Sequence, residues 1–202
     1  MNFSTKIIEK VVEHFSQLPG IGNKTALRFT FYLLKMPKEH IKKFAYSLIE
    51  MTEKMNFCKI CFNIASEETC NICKNKNRDK TTICVVEDFR DVMSIEKTNI
   101  YNGQYHVLGG VISPLDGISP RDLNIEQLIT RAKSGKTKEI ILALSPTMEG
   151  DTTNYYLYKK ISNLNIKITS IAKGIAVGNQ LEYTDQVTLA KSISNRVVFD
   201  KK

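Results

Sequence analysis

Thr82-Ile83-Cys84-Val85-Val86-Glu87 is a β-branched apolar run that closes on a carboxylate. It reads as a buried strand with Glu87 at its end, the place where α/β folds present functional groups. Downstream, similar runs alternate with helical patterns. Strands are expected at Tyr105 to Leu108, Glu139 to Leu144, Ile166 to Ile171 and Arg196 to Phe199. Helices are expected near Phe89 to Glu96, Asp122 to Ser134, Thr152 to Ser162 and Thr184 to Ser194. The alternation makes the fold class α/β. Upstream, Ile8, Val11, Val12 and Phe15 recur at helical spacing until Leu18-Pro19-Gly20-Ile21-Gly22 breaks the pattern. Asn23 is placed to cap a second helix running to about Lys35, and Pro37 opens a third carrying Ile41, Phe44, Ala45, Leu48, Thr52 and Met55.

The chain has 202 residues and is 42% apolar, enough for one substantial domain with small appendages. A formal charge of +8 favours a polyanionic partner, although a basic soluble protein with no such partner has the same composition. No apolar run approaches the ~18 residues that span a bilayer, and the first residues do not resemble a signal peptide. The expectation is a cytoplasmic protein without a membrane partner.

Two features carry chemistry. In Gly20-Ile21-Gly22 the glycines let backbone N–H groups face a phosphate without a Cβ between them, and the next helix adds its positive dipole end. On that helix Lys24, Arg28 and Lys35 fall within an arc of roughly 40°, opposite Ala26, Thr30 and Leu33. The segment resembles a helix-hairpin-helix DNA-binding motif, with Gly20, Gly22, Lys24 and Arg28 as the contact residues; such motifs read backbone rather than bases. An ordinary helical hairpin with a wet basic face is the plainer alternative.

The second feature is Cys58-x2-Cys61 and Cys70-x2-Cys73, separated by eight residues. That spacing lets two knuckle turns bring four thiolates around one Zn2+ per chain. With no position left for water, the zinc is structural. Cys84, inside the strand, reads as a buried core residue.

The stretch Ile141 to Asp151 resembles the second acidic motif of Toprim domains, with Ser145 and Thr147 where catalytic members carry carboxylates. Glu87, Glu149 and Asp151 remain as an acidic cluster. Each neutral replacement weakens a Mg2+ site, so a structural role is favoured and no catalytic residue is assigned.

The whole chain resembles the bacterial recombination mediator family RecR. The likeness is carried by Leu18 to Gly22, the four cysteines, Tyr105-His106-Val107-Leu108-Gly109-Gly110, Ser113 to Ile118, Pro146 to Gly150 and Leu181-Glu182-Tyr183. It implies a ring-forming DNA clamp, a homotetramer, that acts with RecO and RecF to load recombinase on single-stranded DNA at the nucleoid. The implied organisation is a helix-hairpin-helix module at 1–56, a four-cysteine zinc knuckle at 57–80, a Toprim-like domain at 81–171 and a Walker-B-like assembly element at 172–202. Ala176 and Asn179 depart from the family's proline and glycine in the loop before Leu181. His106 reads as a hydrogen-bonded strand residue. A small Toprim nuclease or primase-like enzyme, and a protein-interaction scaffold, are the competing readings.

Overall fold

The computed structural model describes residues 5–198 and resolves two compact units, one up to Met55 and one from Asn56 onward. The first holds α1 (Lys6–Ser16), α2 (Asn23–Leu34) and α3 (Lys38–Lys54). α1 and α2 pack through Val12, Ala26 and Thr30, all buried, and through an edge-on pair of Phe15 and Phe29 with ring centres 5.9 Å apart. α3 has the apolar stripe expected of it but buries none of its residues. Ile41, Phe44, Ala45 and Leu48 instead line an apolar groove of about 310 Å³ with residues of α1 and α2. Asn23 is not the cap of α2. Gly22 takes that position in an extended conformation, and Asn23, already helical, sits one residue too late to receive the first-turn N–H groups.

The second unit begins with an antiparallel pair, β1 (Asn56–Phe57) and β2 (Ile64–Ala65), and the short helix α4 (Asn71–Lys74). It continues through β3 (Thr82–Val86), α5 (Phe89–Glu96), β4 (Gln104–Val107), α6 (Ile125–Lys133), β5 (Glu139–Leu142), α7 (Met148–Ile161), β6 (Lys167–Ser170) and α8 (Gln186–Ser194). The four longer strands form an all-parallel sheet in the order β4-β3-β5-β6. Both faces of β3 are covered, as a parallel sheet requires. Ile83 and Val85 join Leu128, Ile140, Leu157 and Ile161 on one side, whereas Cys84 and Val86 join Val92, Tyr105 and Val107 on the other.

β4 lies at an edge, yet three of its outward backbone groups are held by other parts of the unit. Val107 N–H donates to the Cys61 carbonyl (2.8 Å), Arg131 Nη1 donates to the Tyr105 carbonyl (2.8 Å), and Asn124 Nδ2 donates to the Val107 carbonyl (3.1 Å). An edge occupied in this way is a poorer template for a stray strand.

α7 starts at Met148, four residues before the expected Thr152, because the Thr147 hydroxyl accepts from Gly150 N–H (3.1 Å) and caps it. Gly150, a poor helix former, hides that start in the sequence. The expected terminal strand is not seen over Arg196 to Val198, which are irregular; Phe199 lies outside the described residues. Among the described residues no helix is long and apolar enough to cross a membrane.

Candidate functional site

In the helical unit, Gly20 has φ +78°, a conformation that favours glycine and reverses the chain after α1. Gly22 is different: its φ is an ordinary −84° and a Cβ there would meet nothing within 4 Å. Nothing inside this unit requires a glycine at that position. What it leaves open is the approach to the first turn of α2, where no side chain caps the backbone donors. Lys24 and Arg28 are exposed one turn apart beside that opening, and the Arg28 guanidinium sits 5.9 Å from the centre of the Phe29 ring. Ala26 and Thr30 occupy the opposite, buried side.

In the second unit, the Cys58, Cys61, Cys70 and Cys73 sulfurs lie within 4.8 Å of one another, all buried and none in a disulfide. Zn–S bonds of about 2.3 Å place neighbouring sulfurs of a tetrahedron about 3.8 Å apart. Cys61 Sγ and Cys70 Sγ, at 3.5 Å, are already near that spacing. The two turns are built locally. Phe62 N–H donates to the Cys58 carbonyl (2.9 Å), with Phe62 in the left-handed region at φ 62°, and Cys73 N–H donates to Cys70 Sγ (3.5 Å). Thiol hydrogen bonds from Cys61 and Cys73 hold Cys70 well below the ordinary thiol range, while pairing with Cys70, then with Cys73, and then burial push Cys61 up. The geometry fits a structural zinc, with all four ligands supplied by the chain. Cys84 is separate: burial pushes it up to about 12, so it stays an un-ionised core residue.

The three carboxylates of the Toprim-like region do not gather. Among the described residues the four cysteines are the single group of three or more His, Cys, Asp or Glu side chains placed to share an ion. Glu87 Oε2 accepts from the Ser145 hydroxyl (3.2 Å). Asp151 pairs with Lys173 and has Lys191 Nζ 3.7 Å away. Lys173, first, and Lys191 hold its carboxyl below the ordinary range. Glu149 contributes its backbone carbonyl to the Thr153 hydroxyl (2.7 Å). The residues standing where carboxylates were expected thus do other work, Ser145 on Glu87 and Thr147 as the α7 cap.

Sequence reasoning missed the basic partners. Arg78 binds Glu96 through both guanidinium nitrogens, and Glu96 also accepts from the Tyr105 hydroxyl (2.7 Å). Arg131 donates to His106 Nδ1 (3.2 Å), while His106 Nε2 and the Asn124 carbonyl stand 2.7 Å apart. With Arg131 on one nitrogen, the imidazole donates from the other. His106 is thus held as a neutral, fully buried core residue.

Comparison with known proteins matches residues 8–52 to the RecR helix-hairpin-helix family, 55–75 to the RecR four-cysteine zinc finger domain, 81–172 to the Toprim domain and 174–197 to the RecR C-terminal family. The chain is 55% identical over 201 residues to recombination protein RecR of Flavobacterium johnsoniae, covering 100% of this chain and 98% of the relative. It is 51% identical over 197 residues to that of Bacteroides thetaiotaomicron (98% and 96% covered) and 49% over 197 residues to that of Porphyromonas gingivalis (98% and 95%). Shared single domains would leave several families open, whereas identity sustained along nearly the whole of both chains does not: the chain belongs to the RecR family of recombination proteins.

Proposed function

We propose that this recombination mediator of DNA repair works as a non-catalytic DNA clamp, gripping the sugar-phosphate backbone through Gly20, Gly22, Lys24 and Arg28. The observation that carries the reading is the opening at the start of α2: backbone donors with no side-chain cap, a glycine with no internal reason to be one, and two exposed cations a turn apart. Phosphate is the ligand that such a set of donors suits.

Absence of catalysis is supported by the fate of the acidic residues. Asp151 is committed to two lysines and Glu87 to a serine, so neither is presented as part of a carboxylate cage for Mg2+. The clamp is read as a closed homotetramer that acts with RecO and RecF to load recombinase on single-stranded DNA, in the cytoplasm at the nucleoid. That part follows from the family resemblance.

The test is a titration of wild type and the Lys24→Glu/Arg28→Glu double variant with duplex, gapped and single-stranded DNA at several salt concentrations, with the partner proteins added if unaided binding is weak. Each neutralised phosphate contributes roughly 0.7 to 0.9 to the salt slope, so wild-type affinity is expected to fall steeply with salt. The variant is expected to fold, since surface substitutions usually change stability within about 0.5 kcal/mol, and to lose binding. A folded double variant that binds every substrate as wild type does places the DNA elsewhere. Turnover with Mg2+ that disappears in Glu87→Gln would favour the nuclease or primase reading.

A further inference from the structure

Arg131 is a partly buried cation whose partners are all neutral. From α6 its guanidinium donates to the Tyr105 carbonyl (2.8 Å), to His106 Nδ1 (3.2 Å) and to Gln104 Oε1 (3.2 Å). It makes no ion pair with any carboxylate among the described residues, although the other half-buried arginine, Arg78, is paired with Glu96. A charge removed from water costs several kcal/mol unless an opposite charge compensates it. His106 supplies none, because burial holds it neutral. The compensation has to come from elsewhere.

The knuckle is what lies across from Arg131. Arg131 lines a groove between α6 and the knuckle together with Lys59, Ile60, Phe62 and Glu126, the last a carboxylate with which it makes no ion pair. Phe62, directly after the ligand Cys61, sets its ring edge-on to His106 at 5.5 Å between centres. The Cys61 carbonyl binds Val107 N–H two residues along β4 from the Tyr105 carbonyl that Arg131 holds. Burial lowers the Arg131 pKa, as expected of a cation taken out of water with no anion bonded to it. Four thiolates carry more negative charge than one Zn2+ neutralises, and the full set stays deprotonated only while the metal is bound.

We infer that Arg131 is the counter-charge of the zinc–thiolate centre and a positioning residue for it, so that zinc binding and closure of the β4 edge are coupled through one side chain. Zinc stabilises the thiolates, the thiolates stabilise the guanidinium in its partly buried place, and the guanidinium holds Gln104, Tyr105 and His106. Loss of the metal lets sulfurs take up protons and deprives Arg131 of most of the negative charge across from it. The coupling is reciprocal: removing the Arg131 charge weakens zinc binding by the amount that zinc strengthens the Arg131 contacts.

The test is zinc affinity of the full chain, measured by competition with a chromophoric chelator at neutral pH, for wild type, Arg131→Met and Arg131→Lys. Outer partners of metal ligands typically change affinity by about 10- to 100-fold, and a loss in that range is expected for Arg131→Met, with most of it recovered in Arg131→Lys. An arginine that merely fills space predicts no change in zinc affinity for Met, or an equal loss for Met and Lys; either result overturns the inference. If neither variant folds, wild type decides the matter. In ¹⁵N-arginine-labelled protein the Arg131 guanidinium protons are expected to be protected from exchange with zinc bound and to lose protection on stoichiometric chelation, while Arg78 stays protected by Glu96. Equal protection of Arg131 with and without zinc overturns the inference.

Discussion

Lys173 donates to Asp151, tying the segment that follows β6 to the first turn of α7, and Lys191 on α8 approaches the other oxygen of the same carboxylate at 3.7 Å. One acidic side chain thus gathers three parts of the second unit. Partly exposed pairs contribute only about 0.2–1 kcal/mol, so Asp151→Asn should scarcely lower the melting temperature. It should loosen the C-terminal segment locally, and limited proteolysis beyond Ile171 is expected to speed up several-fold. The lowered Asp151 pKa gives the pH sign. The unfolded chain takes up the proton first, so the contribution is complete above the ordinary value of 3.8 and drains away as pH falls through the lower folded value. A proteolysis rate unchanged in Asp151→Asn would show that the lysines do not hold this segment.

Zinc content is the second measurable quantity. Native protein should carry close to one zinc per chain, and Cys58→Ser or Cys70→Ser should lose it. Much of the α/β signal in circular dichroism should survive, because the larger core clusters lie on the sheet. Protein purified without metal yet equally stable would contradict the assignment.

His106 gives the second unit an acid-sensitive core. Burial first, and the Arg131 charge after it, push its pKa from 6.5 down to about 4. Between those values only the unfolded chain takes up the proton, so stability falls as pH drops from 6.5 to about 4, by up to roughly 3 kcal/mol. Urea midpoints measured across that window should show the slope in wild type and a flatter one in His106→Gln. The same slope in both proteins would assign it to other groups.

Gly150 admits no side chain. A Cβ there would stand 2.0 Å from the Ser145 carbonyl oxygen, which is backbone and cannot swing away. Gly150→Ala, favourable by helix propensity alone, is expected instead to destabilise by about 1–3 kcal/mol and to disturb the Ser145–Glu87 hydrogen bond. Chemical denaturation reads the sign directly.

Much of this was readable from residue order. The run from Thr82 to Val86 and the helix from Phe89 to Glu96 have the expected bounds, because a buried β-branched run and a short amphipathic helix are set by residues close in sequence; in the structure Asp88 caps that helix. The cysteine spacing anticipated the knuckle for the same reason: the turns that make it are short-range. Arg131, Lys173 and Arg78 were not readable, since a basic residue on a helix or loop looks alike whether its partner is water, a thiolate or a carboxylate 18 or 22 positions away. Arg196 to Val198 had strand composition, but composition supplies no neighbour to pair with, and those residues remain irregular.

The strand order carries an implication for the sequence of events in folding. β3 gains neither neighbour until later chain arrives, from Gln104 for β4 and from Glu139 for β5, so the sheet rests on non-local closures of the kind that slow folding. All four zinc ligands lie between Cys58 and Cys73, a short loop with little entropy to lose on closing. On a chain emerging from the ribosome the knuckle is therefore the first piece of this unit able to form. Its Cys61 carbonyl then waits as a ready-made acceptor for Val107. Metal supplied before refolding should shorten the time to the native sheet, and metal supplied afterwards should not, which would make zinc a determinant of how quickly this protein matures as well as of how firmly it stands.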